Sequence, residues 1–119
     1  MRRGIRSLAL AAAITGVTLI VGSASFMASA QPVPVPSAGV KIDNFSFGPA
    51  QITVPAGTTV TWTNRDDIPH TVVSADDPKI FKSKVLDTDE KFSFTFTKAG
   101  TYPYFCSIHP KMTAKVVVQ

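Results

Sequence analysis

The sequence predicts an all-β fold, a Greek-key sandwich or small barrel of about seven to eight short strands. Apolar and polar residues alternate in several short runs, most clearly over residues 58–63 and 91–97. Turn-forming pairs such as Gly48-Pro49 and Ala99-Gly100 separate the runs at short intervals. No apolar repeat with a helical period follows residue 30. Many short strands joined by tight turns within one small domain indicate a sandwich or a barrel.

The two clearest strands also predict the core. In residues 58–63, Val60 and Trp62 face one side while three threonines face the other. In residues 91–97, three phenylalanines share one face, so they are expected in the core together with Trp62. These three are Phe92, Phe94 and Phe96.

The other strands are shorter and less regular. A first strand is expected at residues 40–42, after which Phe45 and Phe47 alternate in a shifted phase. That shift predicts a bend or bulge near Asp43-Asn44. Further strands are expected at residues 51–54, 70–74, 101–106 and 113–118.

The N-terminus has the three parts of a secretory signal peptide. A basic start precedes an almost unbroken apolar run, and Ala28-Ser29-Ala30 then gives the small-x-small pattern of a cleavage site. We assign residues 1–30 to a signal peptide cleaved after Ala30, which predicts a periplasmic protein with no stable membrane insertion. The alternative is an uncleaved anchor, although the apolar run is shorter than the roughly 20 residues of a spanning helix. The choice between the Sec and twin-arginine routes stays open.

Residues 31–39 are predicted to be a proline-rich tether that leads into a single domain at residues 40–119. Three prolines in alternation disfavour a helix and favour an extended chain. The formal net charge of the 119 residues is +4, but three of the 12 basic residues lie in the leader. The mature chain is therefore almost neutral, and its charge gives no support for nucleic-acid binding.

Four side chains with soft metal donors remain after the predicted cleavage. A single cysteine cannot form an internal disulfide, and a metal would protect a free thiolate in an oxidising compartment. Two imidazoles and a thiolate in a trigonal plane, with a weak thioether ligand, are typical of a blue-copper site. The sequence therefore predicts one type 1 copper ion per chain. The candidate ligands are His70, Cys106, His109 and Met112.

The spacing of these residues suits such a site. Cys106, His109 and Met112 follow one another at intervals of three, while His70 lies on a separate predicted strand edge. A short ligand loop limits rearrangement between Cu(I) and Cu(II), which favours rapid electron transfer. Pro69 and Pro110 flank the two histidines and restrict the backbone at both.

In these motifs the chain resembles the cupredoxins, the type 1 blue copper proteins. A run from Gly100 to Cys106 leads into the C-x-x-H-x-x-M loop, and Trp62-Thr63-Asn64-Arg65 precedes Ile68-Pro69-His70. The very short loop is most similar to that of the amicyanins. The resemblance covers residues 40–119 and implies the cupredoxin type of Greek-key fold. It also implies that copper is bound by His70, Cys106, His109 and Met112.

The resemblance implies a monomeric electron carrier and not an enzyme. His109 would be the electron port, and redox partner proteins would dock near it, with a dehydrogenase as donor and a cytochrome as acceptor. Several members carry Asn directly after the first histidine ligand, where this chain has Thr71. The hydrogen bonds between the ligand loops are therefore expected to differ. Candidates for an apolar docking patch around His109 are Ile68, Pro69, Ile108 and Pro110.

Three other interpretations compete with this one. Zinc also accepts cysteine and histidine, but a thioether is a poor ligand for it. A copper oxidase or nitrite reductase needs a further copper centre, and both histidines outside the leader are already used. A module for periplasmic copper delivery or storage would use the same ligands and is the alternative function. Transfer of the copper to an acceptor, instead of reversible cycling, would identify such a module.

Overall fold

The computed structural model describes residues 34–119, together with Gly4, Gly16, Thr18 and Gly22. Residues 34–119 contain eight β-strands and no α-helix, which confirms the predicted all-β fold. The predicted cleavage after Ala30 lies outside the described residues and stays a prediction. Within the part of the chain that is described, no helix has the length and apolar character needed to cross a membrane.

The strands are short, as the turn-rich sequence requires. In chain order they are β1 (Ser37–Asp43), β2 (Ser46–Gly48), β3 (Gln51–Val54), β4 (Thr58–Asn64), β5 (Val73–Ser74), β6 (Lys91–Phe96), β7 (Gly100–Phe105) and β8 (Thr113–Val118).

The strands form two four-stranded sheets. One sheet has the order β2-β1-β4-β6 and the other has the order β3-β8-β7-β5. Strand β1 runs parallel to β4 and β3 runs parallel to β8, while the remaining neighbours are antiparallel. The chain switches sheets several times between consecutive strands, as in a Greek-key sandwich. The predicted architecture is therefore confirmed.

The first strand differs from its prediction at both ends. It begins at Ser37, inside the range assigned to the tether, because residues 37–39 pair in parallel with residues 59–61 of β4. This pairing is made by backbone groups and requires no apolar alternation, so the sequence pattern did not predict it. Instead of a bend or bulge, Asn44 and Phe45 form the two-residue turn of the β1–β2 hairpin, with Asp43 opposite Ser46.

The strand predicted at residues 70–74 is confined to β5. His70 makes only an isolated bridge, to Leu86. Thr71 donates its backbone N–H to Sγ of Cys106, and Val72 donates its N–H to Oγ of Ser83. These donors are used by side chains, so the ladder cannot extend through them.

The core is centred on Trp62, which is fully buried. Its ring contacts four other aromatic rings at centroid distances from 5.4 to 6.4 Å. The predicted inward faces are confirmed: Phe96 is buried with Trp62, and Phe92 and Phe94 pack against the same cluster. Rigid aromatic packing of this kind fixes the ends of β4 and β7, from which the candidate ligands emerge.

Candidate metal centre

Three of the four predicted ligands meet at one point. Nδ1 of His70, Sγ of Cys106 and one ring nitrogen of His109 all lie within 4.8 Å of one another. Sγ of Cys106 is 3.8 Å from Nδ1 of His70 and 3.8 Å from Nδ1 of His109. Residues 36 positions apart thus present their donor atoms to a common centre.

His70 is completely buried and held on both sides. Its backbone exchanges two hydrogen bonds with Leu86, at 3.1 and 2.7 Å. Its Nε2 lies 2.8 Å from Oδ2 of Asp66. An ionised carboxylate only accepts hydrogen bonds, so the proton of a neutral His70 is on Nε2 and the lone pair of Nδ1 faces Cys106.

Asp66 is a functional residue that the sequence reasoning missed. Its carboxylate accepts hydrogen bonds from the backbone N–H groups of Asn44 (2.9 Å) and Phe45 (3.0 Å) as well as from His70. The bond from Phe45, followed by those from His70 and Asn44, outweighs burial and lowers the pKa of Asp66 below its ordinary value. A carboxylate four residues before a candidate histidine ligand is the signal that could have identified it.

Asn64 organises the segment that carries Asp66 and His70. It is fully buried at the end of β4. Its Nδ2 donates to the carbonyls of Ile68 (2.9 Å) and Leu86 (2.8 Å), and its Oδ1 accepts from the N–H of Asp66 (2.9 Å). Two of these bonds satisfy loop backbone groups that have no ladder partner, and the third joins Asn64 to Leu86, so the loop keeps one conformation.

Cys106 is buried at the end of β7, beside three hydrogen-bond partners. Burial by itself raises the pKa of a thiol. The N–H of Thr71, 3.4 Å from Sγ, and the rings of His70 and His109 outweigh that effect and lower the pKa of Cys106 to about 6. The group is therefore mainly thiolate at neutral pH, which is the form that binds metals.

Thr71 connects the two ligand segments. Its Oγ1 accepts a hydrogen bond from the N–H of Ser107 at 2.7 Å and lies 2.7 Å from Oγ of the same residue. Its own N–H donates to Sγ of Cys106. The hydroxyl of Thr71 therefore joins residue 71 to residue 107, which directly follows the cysteine.

The loop from Cys106 to Met112 is closed by its own backbone. The N–H of Met112 donates to the carbonyl of His109 (2.8 Å), and the N–H of Cys106 donates to the carbonyl of Met112 (3.1 Å). Met112 is 6% exposed. It lines one apolar pocket of about 470 Å³ together with His109. The fourth predicted ligand therefore lies beside His109 and is hydrogen-bonded through its backbone to Cys106.

Phe45, at the tip of the β1–β2 hairpin, is a second residue that the sequence reasoning missed. Its ring meets the ring of His70 at 5.7 Å and that of His109 at 5.1 Å, edge to face in both cases. It also lines the pocket beside Met112. The signal in the sequence is an aromatic residue after Asn44, in the turn position where glycine is usual.

The donor set fits a single soft metal ion. Imidazole and thiolate bonds to zinc are about 2.1 and 2.3 Å long, and at about 120° to each other they would separate N and S by about 3.8 Å. Both N–S distances around Cys106 have that value. Two neutral imidazoles, a thiolate and a nearby thioether favour copper over hard cations.

Comparisons with known proteins agree with this donor set. A family model described as a cupredoxin-like domain matches residues 11–118. Amicyanin-alpha of Methylorubrum extorquens is 34% identical over 119 residues, which cover 97% of this chain and 100% of the relative. A chloroplastic plastocyanin of Tetradesmus obliquus is 34% identical over 141 residues and 97% of each chain. The solved structure of a purple cupredoxin from Nitrosopumilus maritimus superimposes with a TM-score of 0.64 and 36% identity, covering 69% of this chain and 99% of that one.

Proposed function

This chain belongs to the cupredoxin family, and from that premise we propose that it is a periplasmic one-electron carrier with one type 1 copper held by His70, Cys106, His109 and Met112. Amicyanins and plastocyanins are blue-copper electron carriers and not enzymes, and this chain is of the same kind. The single observation that carries the ligand assignment is the meeting of two Nδ1 atoms and one Sγ, at 3.8 Å from Cys106 to each histidine.

Each ligand has a separate role in the proposal. When bound, copper would take up and release one electron by alternating between Cu(I) and Cu(II). Cys106 supplies the thiolate, His70 a buried imidazole of fixed tautomer, and His109 the imidazole nearest to solvent. Met112 supplies the weak thioether. Hydrogen bonds within and between the loops restrict the ligands, so little reorganisation accompanies the change of charge.

The surface around His109 is the proposed electron port. His109 is half-buried, and Ile108 beside it is 44% exposed. The pocket lined by Phe45, Ile108, His109 and Pro110 is mainly apolar. An apolar surface with a small polar opening suits a short-lived complex with redox proteins. By similarity to the amicyanins, we propose a dehydrogenase as donor and a cytochrome as acceptor, with the carrier monomeric.

The periplasmic location rests on the leader. Residues 1–30 have the order of a secretory signal peptide, and cleavage after Ala30 would release the described domain. Mass spectrometry of the chain isolated from periplasmic extract would give Gln31 as the first residue. Retention of the full leader in the membrane fraction would contradict the proposed cleavage.

The function is tested by the visible spectrum of residues 31–119 loaded with Cu(II). We expect one copper per chain and an intense blue band that a reductant bleaches and an oxidant restores. In Cys106→Ala the band should be absent, because the thiolate is the source of the charge transfer. Tight zinc binding with no blue copper form would overturn the proposal. Irreversible transfer of Cu(I) to a chelating acceptor would favour copper delivery or storage instead.

A further inference from the structure

We propose that Phe45 is a cap that keeps water and small anions away from the metal site, so that the ion exchanges electrons without binding external ligands. This inference rests on the proposed function of the four ligands. No part of the ligand motif includes Phe45, which belongs to a hairpin more than twenty residues before His70.

The ring of Phe45 lies against both candidate histidine ligands. Its centroid lies 5.7 Å from that of His70 and 5.1 Å from that of His109, and the two imidazole centroids are themselves 5.1 Å apart. The three rings therefore form a nearly equilateral triangle. Phe45 contacts both imidazoles and is 47% exposed, while His70 is 0% exposed. The phenyl ring is thus the layer between this side of the site and solvent.

The backbone at Phe45 has an unusual conformation for an aromatic residue. Asn44 and Phe45 have φ values of 51° and 55°, in the left-handed region. Asparagine is common there, but a bulky aromatic residue is a genuine outlier, and glycine is the usual second residue of such a turn. Phe45 thus has a backbone conformation that its residue type disfavours, and it has it beside His70 and His109. This points to a role for its side chain.

Hydrogen bonds to Asp66 hold that conformation. The two carboxylate oxygens of Asp66 accept one N–H each from Asn44 and Phe45, and Oδ2 also accepts from Nε2 of His70. One carboxylate therefore couples the position of the hairpin tip to the orientation of a ligand. The ring of Phe45 therefore keeps its position against the imidazole of His70.

A plain docking role predicts something different. A side chain that only contributes apolar surface to a partner interface needs exposure, not edge-to-face contact with both imidazoles. Ile108 has a similar exposure of 44% and lines the same pocket, so it offers apolar surface of the kind a docking role needs. Removing a docking residue would change partner affinity and leave the response of the site to small anions unaltered.

The test is an azide titration of the Cu(II)-loaded protein, followed by absorption and by electron paramagnetic resonance. Phe45→Gly removes the ring, and glycine readily adopts the positive φ of this position. We expect roughly tenfold tighter azide binding than in the parent protein, because no ring contacts have to be displaced. Phe45→Tyr keeps the ring and should behave as the parent. Ile80→Ala, at a residue that is 42% exposed and lies elsewhere, controls for loss of surface apolar area.

Equal azide binding by the parent and Phe45→Gly would overturn the cap, as would equal gains in Phe45→Gly and Phe45→Tyr. A parent protein without a blue band would instead contradict the proposed function. The metal-free protein gives an independent readout by nuclear magnetic resonance. The contribution of the residue 45 ring to the shifts of the His70 and His109 imidazole protons should be the same in the parent and Phe45→Tyr and lost in Phe45→Gly. The absence of that contribution from the parent would show that the ring does not cover the histidines.

Discussion

Nε2 of His70 donates a hydrogen bond of 2.8 Å to the carboxylate of Asp66, four residues earlier in the same loop. Asp66 is 8% exposed and is itself held by two backbone N–H groups. The bond fixes the tautomer and the ring orientation of a candidate ligand before any metal is bound. Carboxylate partners of this kind commonly set the affinity of histidine sites.

Replacing Asp66 by Asn should lower copper affinity by roughly 10- to 100-fold, because the imidazole loses its charged acceptor and the hairpin tip loses its brace. Competition with a chelator of known affinity measures the change. Asp67→Asn is the matched control, since its side chain is exposed and next in sequence. Equal affinities in the two variants would show that the Asp66 bond has no influence on the site.

Thr71→Val should destabilise the metal-free protein by about 1–3 kcal/mol, since the N–H of Ser107 loses its acceptor in a partly buried position. Thr71→Ser keeps the hydroxyl and should retain most of the stability. Urea unfolding followed by tryptophan fluorescence measures both. Our assignment of Thr71 as the connector of the two ligand segments would be wrong if valine and serine gave the same free energy of unfolding.

Met112→Leu should keep copper and raise the reduction potential, because a weak donor that stabilises Cu(II) is removed while apolar volume is conserved. Cyclic voltammetry gives the potential directly. A lowered potential would contradict the thioether role, and complete loss of copper would mean that Met112 contributes more than a weak ligand.

Burial raises the pKa of Tyr104 to about 12, and its hydroxyl has no hydrogen-bond partner among the described residues. An unfolded tyrosine ionises near pH 10. The folded chain therefore keeps this proton at a higher pH than the unfolded chain does. The resulting stability is fully present below about pH 10 and is lost as pH rises toward 12, by roughly 2–3 kcal/mol.

Tyr104→Phe should be at least as stable as the parent at pH 7 and should lack that part of the alkaline decline. Thermal unfolding of both proteins between pH 8 and pH 12, approximately, measures the difference. Parallel decline in the two proteins would show that the Tyr104 hydroxyl does not titrate as its burial predicts.

Much of the fold could be predicted from the sequence, because the alternation of apolar and polar residues indicates which face of a strand is buried. Strands β3 and β8 occupy the predicted residues, and the alternation around Trp62 predicts the inward face of β4. The start of β1 and the short length of β5 could not be predicted from the sequence. Both depend on which backbone groups find partners from distant segments, and such pairing has no local signal.

The sequence by itself determined the fold class and predicted four donors for one metal site, since their chemistry and the spacing of three of them suit few metals. Only the tertiary structure decided what surrounds those donors. Asp66 and Phe45 lie beside those donors because the β1–β2 hairpin is folded against the β4–β5 segment. Hydrogen bonds and ring contacts between residues twenty or more positions apart depend on chain crossing, which periodicity does not encode.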